Sequence, residues 1–426
     1  MSLIHGARAL VAACAICLTT VAANAGTLSI QFGVAEPAQR EAFTALVNDF
    51  RAANPDVEVR LALMDDAAQR QSLPASLAGD APPDVFNGPA GDAMRAQARR
   101  GELDDLSDLW KANTWWNTFP ATVASVGDRQ YAVPYQVYPW GLFFRHDVLE
   151  RAGLREAPRD LSGLLTACSK LRRAGFTPIA LGARDGAAVA AWFDFIDLRA
   201  NGFDFHAQLL DGKASYNDSN VRRSFLMWRQ LIDARCFDAN AAALDSRGAQ
   251  SLLFAGRAGM VLAGTVFSTD IPAIVRPQVD FVRFPTIDSG LASSEPVSTD
   301  AFLVAARARN KAEARRFLSF AAGSAQQAKL ARALGSLPAN RYAPVAGSVL
   351  DLDSYKVLSE AKANVVSGYD RGVPADMARA GVKAFQDFLA QPGQMYPILD
   401  RLDATRATAY AAVEQAAVPV HAARKN

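Results

Sequence analysis

The segment from residue 28 to residue 86 constrains the fold more than any other part of this sequence. Apolar residues alternate with others in 28–32 and again in 57–63, which predicts two strands. Between them, the apolar residues from Phe43 to Phe50 recur at the spacing of one helix face, and a third short strand is predicted at 84–86. Strand–helix–strand units of this length form parallel sheets with right-handed crossovers, so the pattern predicts an α/β fold.

The loops that follow these strands are candidate ligand contacts, because parallel sheets bind ligands beyond the carboxyl ends of their strands. Glu36 and the pair Asp65–Asp66 lie in such loops and could hydrogen-bond hydroxyl groups. Two other interpretations stay open for these carboxylates. They are solvated loop residues, or they belong to the carboxylate pair of a secreted glycoside hydrolase, which needs two carboxyl groups about 5 to 10 Å apart.

Length and charge narrow the class of protein. A chain of 426 residues predicts two lobes or domains, each with its own core. Lys and Arg number 45 and Asp and Glu number 43, so the sequence lacks the concentrated positive charge of a nucleic-acid-binding surface. We therefore expect no nucleic-acid partner.

The N-terminus has the pattern of a secretory signal peptide. Arg8 precedes an uncharged apolar stretch at 9–23, and Ala23-Asn24-Ala25 matches a signal-peptidase site. A lipoprotein motif ending at Cys14 would leave an apolar region of only a few residues. We therefore predict cleavage after Ala25 and export to the periplasm.

Two cysteines, Cys168 and Cys236, remain in the predicted mature chain. Both fall in segments with a helical pattern, and sequence does not determine the distance between them. In an oxidising compartment a disulfide is possible, and two separate buried thiols are the alternative prediction.

No catalytic pattern is present. The sequence lacks a G-x-S-x-G elbow, an H-E-x-x-H motif, a P-loop and a G-x-G-x-x-G turn after the first strand. His146, His206 and His421 have no histidine or cysteine three or four residues away, and each is interpreted as a surface or capping residue. We predict a protein that is not an enzyme and has no cofactor and no metal site.

Residues 130–145 (QYAVPYQVYPWGLFFR) form an extended run with two prolines, which central strands tolerate poorly. This run is predicted to cross between the lobes. Tyr135, Tyr138 and Trp140 would then lie where a cleft opens, and sugar sites combine such aromatic faces with a few polar groups. Phe143 and Phe144 are predicted to be core residues.

Several stretches, in order, are similar to one protein family. They are Tyr131-Ala-Val-Pro134, 140–154 (WGLFFRHDVLERAGL), 178–182 (PIALG), 210–216 (LDGKASY), 254–264 (FAGRAGMVLAG) and 298–305. Each stretch is weak alone, but together they cover nearly the whole mature chain. The chain resembles the family-1 extracellular solute-binding proteins, the relatives of maltose-binding protein.

The resemblance implies a type II-like periplasmic-binding-protein fold with two α/β lobes. Each lobe would be a mostly parallel sheet flanked by helices, with the ligand cleft between the lobes and closure by a hinge motion. The first lobe would comprise 26–136 and 298–338. The second would comprise 140–296 and 339–426, with the hinge near 137–139 and 297.

The same resemblance implies a set of ligand contacts, which we assign by position. They are Glu36, Asp65, Phe86 and Asn87 in the first lobe, Gln136, Tyr138 and Trp140 in the hinge, and Trp192, Gly264 and Thr265 in the second lobe, with Asp300 and Arg371 near the cleft. Where the family usually has a tryptophan after the glycine turn, this chain has Val266-Phe267. That difference argues against a maltodextrin as the ligand.

These observations predict a monomeric binding protein that captures a mono- or oligosaccharide and delivers it to the membrane permease subunits of an ABC importer. The nearest alternative ligand is a phosphorylated polyol or glycerophosphodiester. Such a ligand would require arginines in the cleft, for which Arg145 and Arg371 are the candidates. A secreted glycoside hydrolase is the alternative from another class.

Overall fold

The computed structural model of the protein describes residues 26–345, 349–361 and 364–417. The predicted signal peptide and His421 lie outside the described residues. The strands are β1 (Leu28–Val34), β2 (Val59–Asp65), β3 (Val85–Pro89), β4 (Ser125–Val126), β5 (Arg129–Gln130), β6 (Ala132–Arg145), β7 (Thr177–Ala180), β8 (Ala258–Gly264), β9 (Val279–Val282), β10 (Glu295–Val304), β11 (Leu337–Pro338) and β12 (Val365–Ser367).

The helices pack on both faces of these strands. They are α1 (Pro37–Ala53), α2 (Asp66–Ala78), α3 (Asp92–Arg99), α4 (Ser107–Ala112), α5 (His146–Arg151), α6 (Leu161–Arg173), α7 (Ala187–Asn201), α8 (Phe203–Leu210), α9 (Ser219–Asp233), α10 (Ser246–Phe254), α11 (Lys311–Ala321), α12 (Ser324–Leu334), α13 (Val349–Ala361), α14 (Tyr369–Gly372), α15 (Ala375–Ala390) and α16 (Met395–Ala417). In the described part of the chain, no helix combines the length and apolarity needed to cross a membrane.

The first strand–helix–strand unit is confirmed. β1 and β2 run parallel from the pair Leu28–Val59 to the pair Val34–Asp65, with α1 as the crossover. β3 lies on the other side of β1, also parallel to it. Leu28, Ile30 and Phe32 are buried as the alternation predicts, because alternate side chains of a strand point to opposite faces.

β6 connects the two halves of the molecule as one strand of 14 residues. Its first part pairs with β10, and its second part, from Trp140 onward, pairs with β8 and β9. The pairing register between β6 and β10 shifts between Asp300 and Ala301, which lie opposite Gln136 and Pro134. This shift accommodates the proline within the strand. The crossing segment predicted from 130–145 is therefore an extended strand.

Strand direction is more mixed than the resemblance implied. Parallel pairing holds for β1–β2, β1–β3, β7–β8 and β10–β12, but β6 runs antiparallel to β10, β8 and β9, and β10 runs antiparallel to β3. The reason is that β6 takes the chain from the first lobe to the second and β10 brings it back. The two-lobe α/β fold itself is confirmed.

Each lobe has its own apolar core. One cluster gathers buried residues from 28–137 and 297–339, and a second gathers residues from 142–284 and 366–409. A smaller third cluster places Leu350 and Val357 of α13 against the second lobe's sheet. Ala361 and Val365 pack in the first cluster although they follow residue 339. The boundaries given above remain predictions, and these two residues lie on the other side of the boundary predicted at residue 339.

The two cysteines left open by the sequence form a disulfide. Cys168 lies in α6, and Cys236 lies just after α9, with 5.1 Å between the Cα atoms. Both side chains are fully buried in the second core. The bridge therefore joins α6 to the segment that follows α9, and the expectation that Cys236 lies in a helix is wrong.

Candidate functional site

Asp300 is the centre of a polar cluster at the junction of the lobes. Its Oδ2 accepts hydrogen bonds from Gln136 Nε2 at 2.6 Å and from the Tyr138 hydroxyl at 3.4 Å. Its Oδ1 accepts one from Arg371 NH1 at 3.0 Å. Asp300 and Gln136 are direct partners in the β10–β6 ladder, and α14 brings Arg371 to them. The structure thus brings together four of the predicted site residues.

Arg371 also lies against the ring of Tyr138. Its guanidinium carbon is 5.5 Å from the ring centroid, within the range of a cation–π interaction. Burial alone would lower the pKa of Arg371, but the charges of its neighbours, Asp300 among them, raise that pKa above its usual value. Burial and Asp300 raise the pKa of Tyr138 as well, so its hydroxyl stays protonated and can donate.

Tyr138 and Trp140 form an aromatic platform beside this cluster. Trp140 is the ladder partner of Gly264, and its Nε1 donates to Ser298 Oγ at 3.4 Å. A Cβ on residue 264 would lie 3.2 Å from Trp140 Nε1 and 3.5 Å from Tyr138 Cδ2. Glycine therefore lets the end of β8 lie against both rings.

A pocket of about 210 Å³ opens next to the platform. Its lining comes from β6, the second half of β8, α10, the short 3-10 helix Thr265–Asp270, Gly182 and the start of α7. The polar side chains of the lining are Tyr138, Trp140, Ser246, Gln250 and Asp270, and no lysine or arginine occurs among the described residues that line it. The volume lies below the range of about 300 to 1,000 Å³ that is common for sites of drug-sized ligands, which favours a small ligand.

The first-lobe candidates have structural partners. The Asn87 amide is used at both ends, because Oδ1 accepts from Gly33 N at 2.8 Å and Nδ2 donates to Gly33 O at 3.0 Å. Asp65 is the N-cap of α2 and accepts from Ala68 N at 3.0 Å. Glu36 is exposed and pairs across the cleft with Arg247 of α10, at 3.5 Å. All three residues lie at the predicted strand ends, and the amide of Asn87 is occupied at both ends, whereas the carboxylates of Glu36 and Asp65 are exposed.

Phe86 and Trp192 were wrongly assigned as ligand contacts. Phe86 is 1% exposed in the first core, because successive strand residues point to opposite faces and Asn87 takes the other face. Trp192 is fully buried in α7 and packs edge-on against Phe237 and Phe284, with ring centroids 4.9 and 5.2 Å away. The nearly continuous apolar sequence of 187–200 was the signal for a helix buried on all sides.

Thr265 and Arg145 also differ from expectation. Thr265 is buried, and its hydroxyl has no hydrogen-bond partner within the described residues. Its neighbour Gly264 lines the pocket, whereas Thr265 does not. Arg145 binds Asp147 and the carbonyl oxygens of Leu253 and Phe254, so it closes the end of α10 and is not a cleft residue. The phosphorylated-ligand alternative loses one of its two arginines.

Comparison with known proteins shows the family to which this chain belongs. The profile of the bacterial extracellular solute-binding proteins matches residues 35–328. The chain belongs to this family. An uncharacterised ABC transporter extracellular-binding protein of Pyrococcus horikoshii is 24% identical over 315 residues, which are 72% of this chain and 70% of that protein. The family match over residues 35–328 makes this chain a bacterial extracellular solute-binding protein.

Two solved structures support the fold of this solute-binding protein. The bacterial solute receptor AcbH, described as having an exclusive preference for β-D-galactopyranose, superposes with a TM-score of 0.80 at 22% identity. The match covers 91% of this chain and all of that one. A probable secreted solute-binding lipoprotein from Streptomyces coelicolor gives a TM-score of 0.78 at 20% identity, covering 89% of this chain and 98% of the other.

A buried network behind the cleft of the solute-binding protein was missed from the sequence. His206, interpreted above as a surface or capping residue, is fully buried with its ring nitrogens 2.8 Å from Asp197 and 3.3 Å from Asp194. Asp194 Oδ2 also accepts from Tyr369 N at 2.8 Å, two residues before Arg371. The sequence signal for this network was the presence of two carboxylates in the otherwise apolar α7, because a buried charge needs a partner. The sequence did not identify His206 as that partner.

Burial and neighbouring charges shift the pKa values of His206 and Asp194. Burial alone would lower the pKa of His206, but hydrogen bonds and charges from Asp194 and Asp197 raise it to about 9. Burial raises the pKa of Asp194 to about 6. The network holds the start of α14, and with it Arg371, against α7. Among the described residues, no group of three or more potential metal ligands comes together.

Proposed function

We propose that this protein is the periplasmic substrate-binding component of an ABC importer. It captures a mono- or oligosaccharide in the inter-lobe cleft and delivers it to the membrane permease subunits. The observation that carries the proposal is the aromatic platform of Tyr138 and Trp140 beside the polar cluster of Asp300, Gln136 and Arg371. The receptor AcbH, similar in fold, is described as preferring a single hexose.

This arrangement matches the surface of a sugar. A pyranose has apolar C–H faces, which stack on aromatic rings, and a rim of hydroxyl groups, which need both donors and acceptors. Arg371 has five N–H donors, of which one is recorded on Asp300, so others remain for ligand hydroxyls. The ionic hydrogen bond to Asp300 fixes the guanidinium before a ligand arrives, which reduces the entropy cost of binding.

A neutral ligand fits the charges of the cleft better than a phosphorylated one. Of the lining residues that the structure describes, none is a lysine or arginine, and Asp270 is the charged one. Arg371 is already paired with Asp300, and Arg145 is used within the second lobe. A phosphate in the pocket would meet the Asp270 carboxylate, and the described lining residues supply no cation to offset the repulsion.

Capture needs no chemical step on the ligand. β6 and β10 connect the lobes side by side, so a change in their backbone angles would open and close the cleft as a hinge. A ligand that contacts both lobes favours the closed state by its differential affinity for the two states. The closed, loaded monomer is the form that would dock on the permease.

A thermal-shift screen of residues 26–426 tests the proposal. The panel contains D-galactose, D-glucose, xylobiose, raffinose, glycerol 3-phosphate and glycerophosphocholine. A ligand that binds only the folded state, present at about 100 times its Kd, adds about 2.7 kcal/mol of stability and raises Tm clearly.

Three outcomes are informative. A selective rise with a sugar that is recovered unchanged supports capture of a sugar. A rise with the phosphorylated compounds alone would replace the sugar with a phosphorylated polyol. No rise with any sugar, or consumption of the sugar during incubation, would contradict the proposed function.

A further inference from the structure

Helix α10 presents one polar face to the pocket. Ser246, Ala249 and Gln250 all line it, at the i, i+3 and i+4 spacing that places side chains on one side of a helix. Asp270, the last residue of the short helix Thr265–Asp270, also lines the pocket. We define these residues as the α10 wall.

The polar groups of the α10 wall are free for a ligand. Within the described residues, the hydroxyl of Ser246, the amide of Gln250 and the carboxylate of Asp270 have no hydrogen-bond or ion-pair partner. The candidate Asn87 on the first lobe differs, since both ends of its amide bond the backbone of Gly33. Unused hydrogen-bonding groups that face a pocket are the groups a polar ligand can satisfy.

The wall is also held rigidly. Asp185 Oδ2 accepts from Ser246 N at 2.8 Å, and the N-cap Asp245 accepts from Gly248 N at 2.8 Å. Gly182 lies so close that a Cβ there would be 2.4 Å from the carbonyl carbon of Asp245. These contacts fix the backbone of the first turn of α10, which carries Ser246, before a ligand binds.

The position of α10 in the cleft has independent support. Arg247, next to Ser246, reaches Glu36 of the first lobe at 3.5 Å. α10 is therefore an element of the second lobe that directly faces the first. A ligand on the Tyr138–Trp140 platform would lie between the Asp300 cluster and the α10 wall.

We infer that the α10 wall is the part of this site that selects the ligand, by binding hydroxyl groups on the sugar edge that faces the second lobe. The inference rests on the proposed function. A hydroxyl and a carboxamide each donate and accept, and a carboxylate accepts strongly, which is the set that adjacent hydroxyls of a neutral sugar require. The substrate class is a neutral monosaccharide, or the terminal residue of a short oligosaccharide, with adjacent hydroxyl groups.

Calorimetric titration with D-galactose tests the inference, or with whichever sugar of the panel gives the largest Tm rise. The variants are Ser246→Ala, Gln250→Ala and Asp270→Asn. Matched controls are Ser251→Ala on the same helix, Gln230→Ala on α9 and Asp128→Asn in an exposed turn. Circular dichroism and the Tm without ligand check that each variant folds.

Each wall variant is expected to raise Kd about 5- to 20-fold, corresponding to one lost hydrogen bond, while the controls stay within about twofold. Monodeoxy derivatives of the sugar add a second readout. The derivative that lacks the hydroxyl bound by Gln250 should bind the wild type more weakly, and should bind Gln250→Ala no more weakly than the parent sugar does.

Unchanged affinity in all three wall variants would overturn the inference and leave the proposed function standing. Equal weakening of every deoxy derivative in wild type and variants would also overturn it. Failure of the wild type to bind any sugar of the panel would overturn both the inference and the proposed function.

Discussion

Removing the buried disulfide is expected to destabilise the protein strongly while leaving its cleft intact. The variant is Cys168→Ala together with Cys236→Ala, because alanine leaves no unsatisfied hydroxyl in the core. The bridge joins residues 68 positions apart. In the chain-entropy relation, a loop of this length corresponds to a loss of about 4 kcal/mol in the free energy of unfolding at 25 °C.

The effect acts mainly on the unfolded chain, since the bridge restricts the freedom of the segment that contains α7, α8 and α9. Urea titration followed by tryptophan fluorescence and by far-ultraviolet circular dichroism measures it. Coincident transitions by the two probes would justify a single free energy for the whole chain. The oxidised wild type is the reference, and the wild type reduced under denaturing conditions and refolded with reductant is the matched control.

Affinity for ligand gives the second readout, because neither cysteine lines the pocket or contacts the Asp300 cluster. The double variant should keep the wild-type Kd within about twofold at 20 °C. A loss of less than about 1 kcal/mol would refute the loop-entropy argument. A large loss of affinity in a folded variant would refute the separation of the bridge from the cleft.

Three further predictions concern the cleft and the network behind it. Asp300→Ala removes three hydrogen bonds and leaves Arg371 without its carboxylate partner, so the Kd measured by calorimetry should rise about 10-fold or more. An unchanged Kd would exclude the Asp300 cluster from the ligand site. Gly264→Ala places a methyl group 3.2 Å from Trp140 Nε1, so we expect ligand affinity to fall with little change in Tm. An unchanged Kd would show that the Trp140 and Tyr138 rings can move without loss of binding. The pKa of His206 is raised in the folded state from near 6.5 to about 9, so its stabilising contribution is complete below pH 6.5 and is lost as pH rises through about 9. Urea midpoints should therefore fall over that interval, and His206→Gln, but not the exposed His146→Gln, should flatten the decline.

Much of the fold could be predicted because it depends on local patterns. Alternation in 28–32 and 57–63 identified β1 and β2, and the face from Phe43 to Phe50 identified α1, because strand and helix periods are properties of adjacent residues. The proline-containing run at 130–145 marked the crossing between lobes. Its position led to the prediction of Gln136, Tyr138 and Trp140 as ligand contacts; in the structure Gln136 bonds Asp300, and Tyr138 and Trp140 line the pocket.

The direction in which a side chain points and its contacts with distant elements could not be predicted in the same way. Phe86 and Asn87 are neighbours with opposite orientations, and a shift of one residue in the register decides which of them points inward. The α10 wall has the composition of an ordinary exposed helix face, so nothing in its sequence distinguishes a surface from a pocket lining.

The sequence by itself determined the α/β elements, their order and the family, because these follow from periodicity and from motifs within short segments. Tertiary structure alone decided the Cys168–Cys236 bridge, the burial of His206 between two carboxylates and the meeting of Asp300 with Arg371. Each of these contacts joins residues on different elements. Their distance depends on how whole helices and sheets pack, and local sequence patterns do not encode that packing.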